Sequence, residues 1–210
     1  MNNATVSIAI LAGGLSKRFG SNKAFARWGR ARVIDQVFNT AKAVCKQVFI
    51  VVRNKTGYAE FKDSLVKDLI PGKGPLSGLH SALTFCMTEK VFLLACDMPL
   101  VNADLLRWMI SLNHDASILI PEGPKGLEPL HAIYHKRILP SVEKRLLEGK
   151  GLAMRNLLKD HSYEIIPKEV IKRFCPDLLC LESANTPSSL RKLACIAGIA
   201  PDPGGDIQVP

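Results

Sequence analysis

Short, continuous apolar runs that end in loops of glycine or charged residues restrict the fold of this chain more than any other feature. The clearest runs are residues 6–11, 48–52 and 91–96, of which the last is the most apolar. An apolar run without alternation is typical of a strand buried on both faces, as in a parallel sheet that is covered by helices. These runs therefore predict a parallel sheet with helices packed on it.

Segments with helical spacing of apolar residues lie between the runs, the first from Val33 to Val44. Alternating strands and helices with short loops indicate an α/β fold with a mostly parallel central sheet. No internal repeat or linker divides the chain, so we predict one domain over residues 1–198 and a disordered tail with several Pro and Gly over 199–210. Further strands are expected at residues 65–70, 117–120, 132–134, 163–166 and 179–181, and further helices at 58–64, 76–87, 105–112, 139–147, 152–159 and 187–197.

The overall charge favours anionic partners. Lys and Arg number 28 against 19 Asp and Glu, which gives a net charge of +9. Such an excess suits phosphates, nucleotides, nucleic acid or acidic lipid. The basic residues are dispersed and no nucleic-acid-binding motif accompanies them, so nucleic acid is the weaker interpretation. A merely solubilising surface is a further alternative.

The sequence also bears on the compartment. No apolar run approaches the ~18 residues that a membrane span requires, and the first residues lack the basic region of a secretory signal. We therefore expect a cytoplasmic protein whose six cysteines are reduced. Metal binding by Cys175 and Cys180 is the alternative for that pair, although no cysteine has the spacing of a zinc site.

The loop after the first apolar run carries glycines and cations, namely Gly13, Gly14, Arg18 and Lys23. Glycine lets the backbone turn sharply and brings N–H groups close to phosphate oxygens. Arg18 and Lys23 could then neutralise a polyphosphate. The loop matches neither the P-loop nor the dinucleotide-binding pattern. A glycine-rich turn with solvated cations is the alternative interpretation.

Asp97 directly follows the most apolar run. A carboxylate just past the end of a buried strand is well placed to hold a cation. Mg²⁺ commonly takes one or two protein carboxylates, while phosphate and water complete its shell. The alternative is that Asp97 caps the next helix, but Asn102 and Asp104 lie closer to that helix and are better placed to cap it. We therefore predict that Asp97 is a magnesium ligand.

A third loop, residues 72–78, places Gly74 before a helix, and Asp68 lies shortly upstream. Glycines at a helix start allow a base, a ribose or a phosphate to approach closely. The Asp68 carboxylate could accept hydrogen bonds from a base or a ribose. Taken singly, this loop and Asp68 are as compatible with a structural role as with a functional one.

Together the three loops resemble one family. Residues 11–23 are similar to the LAGGxSxRxGxxK signature of the Rossmann-like nucleotidyltransferases. Four further segments resemble elements of the branch that contains the molybdenum cofactor guanylyltransferases, the MobA family. These are GPLxG at residues 74–78, CDMP at 96–99, QPLxA at 128–132 and the closing NTPxxL at 185–190. The elements follow the family's order, so the resemblance implies a three-layer, Rossmann-like nucleotidyltransferase fold.

The resemblance also implies roles for individual residues. Arg18, Lys23 and Asp97 would be catalytic, with Asp97 as the metal ligand. Glu128 and Asn185 would lie on the acceptor side. The residues that would bind the nucleotide are Leu11, Ala12, Gly13, Gly14, Lys23, Asn54, Asp68, Gly74 and Asp97.

The activity that the resemblance implies is transfer of GMP from GTP to molybdopterin, with release of pyrophosphate. Mg²⁺ would be the cofactor of a monomer or weak oligomer, with proteins that deliver or accept molybdopterin as possible partners and neither nucleic acid nor a membrane among them. Two residues depart from the family's pattern on the acceptor side: Glu128 replaces Gln, and Ser189 stands where an acidic residue is common. The alternatives are a related enzyme that uses CTP or a sugar or polyol phosphate, and a nucleotide-binding protein without activity.

Overall fold

The computed structural model describes residues 6–13 and 22–199. Within these ranges the chain forms ten strands and six α-helices. The strands are β1 (Val6–Leu11), β2 (Arg27–Trp28), β3 (Ala31–Arg32), β4 (Val48–Val52), β5 (Leu65–Lys67), β6 (Lys90–Ala95), β7 (Ile118–Gly123), β8 (Gly126–Leu127), β9 (His131–His135) and β10 (Tyr163–Ile166). The helices are α1 (Val33–Lys42), α2 (Pro75–Phe85), α3 (Ala103–Ser111), α4 (Leu139–Glu148), α5 (Lys168–Ile171) and α6 (Pro187–Ile196). Short 3₁₀ helices span Lys23–Phe25, Ala59–Ser64, Lys136–Ile138, Met154–Lys159 and Leu179–Leu181.

A large sheet with strand order β10-β7-β9-β6-β1-β4-β5 forms the centre of the molecule, and β8 pairs with β7. β1 is parallel to β4 and to β6, β4 is parallel to β5, and β10 is parallel to β7. β9 runs antiparallel to both of its neighbours, β6 and β7. A separate two-stranded ribbon is formed by β2 and β3. The prediction of an α/β fold with a mostly parallel central sheet is confirmed.

Alternate residues of the central strands enter two separate cores. Ile8 and Ile10 of β1 and Phe92 of β6 face a core that α1, α3 and α6 cover. Ala9 of β1 and Leu93 of β6 face a second core, which α2 and α4 cover. Successive side chains of a strand point to opposite faces of a sheet, so strands covered on both faces are apolar throughout. The three layers thus account for the continuous runs in the sequence.

The strand order reverses at β1. The chain passes outward from β1 to β4 and β5, and then crosses to the other side of β1 to form β6. In open α/β sheets such a reversal leaves a crevice at the carboxyl ends of the strands, where ligands bind. Leu11 pairs with Ala95 in the register of β1 and β6. The loop that follows Leu11 and the turn that contains Asp97 therefore begin side by side at this crevice.

One local prediction was wrong. Residues 179–181 form a 3₁₀ helix and not a strand. Leu178 has a left-handed φ of 59°, and the Asp177 side chain accepts a hydrogen bond from the Leu179 N–H at 3.0 Å. Both features end extended backbone at this point. The segment is apolar because Cys180 and Leu181 pack into the core beneath α1 and α3.

Three other features complete the comparison with the sequence. The helices expected at residues 58–64 and 152–159 are 3₁₀ helices at Ala59–Ser64 and Met154–Lys159. Apart from Ile199, the tail expected to be disordered lies outside the described residues. No helix in the described ranges has the length and apolar character needed to cross a membrane.

Candidate active site

The backbone fixes the start of the glycine-bearing loop at the crevice. The Ala12 N–H donates to the Val51 carbonyl of β4 at 2.9 Å, and the Cys96 N–H donates to the Leu11 carbonyl at 3.1 Å. The loop therefore leaves the sheet between β4 and β6. Gly14 and Arg18, both predicted site residues, lie outside the described part of the chain.

Lys23 and Asp97 form an ion pair across the crevice, between Nζ and Oδ2. Lys23 opens the 3₁₀ helix Lys23–Phe25, which Asn22 caps by accepting a hydrogen bond from the Ala24 N–H at 3.2 Å. The Asp97 side chain is 4% exposed and the Lys23 side chain 22%. The structure thus brings two of the predicted catalytic residues together, with the carboxylate below and the ammonium group nearer to solvent.

Asp97 does not cap the following helix. Asn102 caps α3, since its side chain accepts from the Leu105 N–H at 2.9 Å. The backbone carbonyl of Asp97 accepts from the Ala184 N–H at 2.7 Å. The Asp97 carboxylate therefore has no capping role and pairs with Lys23.

Glycines allow the loop after β1 to lie against its neighbours. A Cβ atom at Gly13 would lie 3.2 Å from the Arg53 backbone nitrogen, and one at Gly78 would lie 2.7 Å from Leu11 Cδ2. Leu11 and the first turns of α2 are thus in contact. Gly74, the residue before α2, has φ +74°, a conformation that side chains other than glycine rarely adopt.

Asp68 and Asn54 reach the same edge of the sheet but are engaged differently. Asp68 Oδ1 accepts from the Ser81 hydroxyl at 3.1 Å and from the Ile70 N–H at 3.2 Å. The other oxygen of Asp68 makes no hydrogen bond within the described residues. Asn54 Oδ1 accepts from the Thr56 N–H at 3.1 Å in an exposed turn. Asp68 is thus oriented by buried groups, whereas Asn54 stabilises its own turn.

Glu128 approaches Asp97 because β9 is antiparallel to β6. His131 pairs with Leu94, and the Ala95 N–H donates to the Leu130 carbonyl at 3.0 Å. The residues before β9 therefore lie at the carboxyl end of β6. The pKa of Glu128 is raised to about 6, mainly by burial and next by the neighbouring carboxylate of Glu182, with a smaller contribution from Asp97 and against the opposing effect of nearby cations.

We expect Glu128→Gln to stabilise the protein at pH 7 and to have no effect below pH ~4.5. The folded pKa of Glu128, about 6, lies above the ordinary value of 4.5. The folded protein therefore binds the Glu128 proton more tightly than the unfolded chain does. The stability that this protonation contributes is lost as the pH rises through 6. Urea denaturation of both proteins between pH 4.5 and 7.5 measures the difference. Glu164→Gln, on the exposed strand β10, is the control, and an equal pH dependence in Glu128→Gln and wild type would contradict the assignment.

The closing segment, residues 182–190, contains Asn185, which the sequence predicts to lie on the acceptor side. The hydrogen bond from the Ala184 N–H to the Asp97 carbonyl brings exposed Asn185, the next residue, to the turn that contains Asp97. Glu182 forms an ion pair with Lys125, at the tip of the β7–β8 hairpin, over 2.7 Å. Ser189 exchanges hydrogen bonds with Thr186 at the start of α6, at 3.0 and 3.1 Å. A capping box of this kind normally uses an acidic or amide residue at that position, so Ser189 keeps the cap despite its departure from the family's pattern.

Sequence reasoning missed two residues that hold the site together. Ser81, in α2, is fully buried and orients Asp68. Tyr58 donates a hydrogen bond from its hydroxyl to the Ala12 carbonyl at 3.0 Å. The available signal for Tyr58 was an aromatic residue beside a glycine shortly after β4, in a loop that otherwise consists of polar residues.

An open α/β sheet that holds a lysine and a buried carboxylate together at its switch point, beside a glycine-bearing loop, has the architecture of a Rossmann-like nucleotidyltransferase. Residues 8–165 match the family described as the MobA-like NTP transferase domain. The chain belongs to this family, and it is a nucleotidyltransferase.

Individual relatives agree with the family assignment. The chain is 36% identical over 154 residues to a probable molybdenum cofactor guanylyltransferase from Clostridium perfringens, covering 73% of this chain and 77% of the relative. It is 34% identical over 197 residues to one of the same name from Carboxydothermus hydrogenoformans, covering 92% and 96%. The crystal structure of molybdopterin-guanine dinucleotide biosynthesis protein A from Archaeoglobus fulgidus has the same fold, with a TM-score of 0.80, 24% identity and coverage of 91% and 98%.

Proposed function

We propose that this nucleotidyltransferase transfers GMP from GTP to molybdopterin, forming molybdopterin guanine dinucleotide and pyrophosphate. The observation that carries the proposal is the Lys23–Asp97 pair between the ends of β1 and β6. It is supported by the names of relatives that the chain matches over most of its length.

The nucleotide is assigned to the β1–β4–β5 side of the crevice. The Gly13 backbone lies closely against the end of β4 and can present its N–H to phosphate oxygens. The base or the ribose is assigned to Oδ2 of Asp68, whose Oδ1 is held in place by Ser81. The acceptor is assigned to the opposite side, near Glu128 and Asn185.

The Asp97 carboxylate fits a divalent cation by its chemistry. No group of three or more His, Cys, Asp or Glu side chains that could hold a metal occurs within residues 6–13 and 22–199. A single carboxylate nevertheless suffices for Mg²⁺ when nucleotide phosphates and water complete the shell. When bound, Mg²⁺ would supply positive charge beside the phosphates. Lys23, which pairs with Asp97, would supply a second positive charge at the same place.

The chain's own residues have one main task in this reaction, which is to bring two anions together. The phosphate of the acceptor is already ionised near neutral pH and attacks the α-phosphorus of GTP, and the bond to the leaving pyrophosphate breaks. No general base is needed for such a nucleophile. Positioning and preorganised positive charge lower the barrier. Lys23 offsets the charge that grows on the pyrophosphate.

The proposal is tested by incubating the protein with GTP labelled at the α-phosphorus, Mg²⁺ and molybdopterin. We expect the label to transfer to the acceptor with release of one pyrophosphate for each GMP transferred. Competition by unlabelled GTP, ATP, CTP and UTP identifies the base. No pyrophosphate above the control without acceptor would refute the proposal, and preferential competition by CTP would reassign the nucleotide.

A further inference from the structure

The Tyr58 hydroxyl joins the two described ends of the glycine-bearing loop. It donates to the Ala12 carbonyl at 3.0 Å and accepts from Asn22 Nδ2 at 3.1 Å. Ala12 lies just before residues 14–21 and Asn22 just after them. One side chain from the segment after β4 therefore fixes both the entry and the exit of the loop.

The Tyr58 ring is held from several sides. It is 1% exposed, and its centroid lies 4.6 Å from that of Phe25 and 6.5 Å from that of Phe61. Gly57 has φ +84°, and a Cβ atom there would lie 2.9 Å from the Phe25 ring. The close approach of Phe25 to Gly57 and Tyr58 anchors the far end of the 3₁₀ helix that begins at Lys23.

The same contacts lead to the catalytic pair. The Asn22 amide N–H donates a hydrogen bond to the Tyr58 hydroxyl. Asn22 Oδ1 accepts a hydrogen bond from the Ala24 N–H and so caps the Lys23–Phe25 helix. Tyr58 thus orients Asn22, which sets the start of the helix from which Lys23 reaches Asp97. Burial raises the pKa of Tyr58 to about 12, so its hydroxyl remains a donor at any pH at which the enzyme would work.

We infer that Tyr58 is a positioning residue for nucleotide binding, which aligns the two described ends of the glycine-bearing loop, and Lys23 with them, on the phosphates of the bound nucleotide. The inference rests on the proposed function, because it assigns phosphates to that loop. Tyr58 is buried and acts through the Ala12 carbonyl and the Asn22 amide. Among the described residues no hydrogen bond joins Tyr58 to Glu128 or Asn185.

The test is the steady-state kinetics of Tyr58→Phe. Removal of the hydroxyl leaves the Ala12 carbonyl and the Asn22 amide without their partner, while the ring still fills its place. We expect the KM for GTP to rise about tenfold, as for the loss of a buried hydrogen-bonding connection. The KM for molybdopterin should stay within about twofold of the wild type.

Tyr134→Phe is the matched control. Tyr134 is also 1% exposed, and its hydroxyl donates to the backbone carbonyl of Pro129 at 2.7 Å. Removal of the Tyr134 hydroxyl should destabilise the protein about as much as Tyr58→Phe does, without raising the KM for GTP. A rise in that KM of the same size in Tyr134→Phe and Tyr58→Phe would mean that the effect is one of general stability, which would overturn the inference.

Asn22→Ser provides a second route should Tyr58→Phe fold poorly. Serine caps a helix about as well as asparagine, but it is too short to reach Tyr58. Asn22→Ser alone should reproduce the tenfold change, and the double variant should add little to it, since both remove one connection. Independent, multiplicative effects would overturn the inference.

Nucleotide affinity measured by calorimetry without acceptor separates this inference from the proposed function. If the wild type binds a nucleotide other than GTP, the same comparison is made with that nucleotide, and a tenfold loss of affinity in Tyr58→Phe supports the positioning role. If the wild type binds no nucleoside triphosphate with Mg²⁺, the proposed function and the role of Tyr58 both fall.

Discussion

Asp97→Ala should lower kcat by roughly 10³-fold or more while the protein remains folded. The Asp97 carboxylate lies at the switch point, where the strand order of the sheet reverses, and it pairs with Lys23. Its loss would remove the proposed anchor of the metal and leave the phosphates of the two substrates to repel one another. Preorganised electrostatic groups of this kind contribute about 10²–10³-fold each, and a bound metal adds to that.

The loss of activity should not reflect unfolding. Lys23 remains 22% exposed, so water can solvate it once its partner has gone. We therefore expect a destabilisation of about 1–2 kcal/mol, below the ~3–5 kcal/mol that follows when a fully buried pair is broken. Urea denaturation measures this change, and single-turnover GMP transfer measures the chemical step.

Asp104→Ala is the control for Asp97→Ala. Asp104 lies nearby in the chain, in the first turn of α3, and its exposed carboxylate pairs with Arg107 at 2.6 Å. Its removal should leave kcat within about twofold, as for most surface substitutions. Turnover near the wild-type rate in Asp97→Ala would show that Asp97 does not hold the catalytic metal.

The part of the site that could be predicted from sequence is the part fixed by local pattern. A continuous apolar run marks a buried strand, and the residue after its end is read directly from the chain. Asp97 and the entry of the glycine-bearing loop at Leu11 were located in this way. Parallel strands then place their carboxyl ends at one edge, so the proximity of Asp97 to the start of that loop follows from the fold class.

Features that depend on distant contacts could not be predicted. Tyr58 bonds to Ala12 and Asn22, which are 46 and 36 positions away in the chain. The raised pKa of Glu128 depends on burial of its carboxyl and then on Glu182, which a separate segment brings close. Neither pairing leaves a periodic signal in the sequence.

The prediction of a strand at residues 179–181 was wrong for a related reason. Its apolar residues do enter a core, as a strand's would. The hydrogen bond from Leu179 to the Asp177 side chain and the left-handed backbone of Leu178 select a 3₁₀ turn instead. Burial alone does not distinguish the two conformations in so short a segment.

Lys23→Ala should lower kcat/KM for GTP by about 10²–10³-fold. The ammonium group of Lys23 is held between a capped helix and Asp97, so its charge is fixed before the substrate arrives. A positive charge that is already in place stabilises the negative charge that develops in the transition state, so it lowers the barrier without reorganisation of the site. Lys23→Arg keeps the charge and should recover part of the loss, whereas Lys23→Gln should recover little. Lys42→Ala, an exposed lysine at the end of α1, should stay within about twofold.

The double variant Lys23→Ala/Asp97→Ala then tests whether the two residues act as a unit. Groups that act on one transition state and touch each other give strongly non-additive effects. We therefore expect the double variant to lose little more activity than Asp97→Ala alone. Without Asp97 and the metal that it would hold, the phosphates that Lys23 would bind are no longer ordered. A fully multiplicative loss would mean that Lys23 and Asp97 contribute independently, and that their ion pair is a resting contact without consequence for the bound nucleotide.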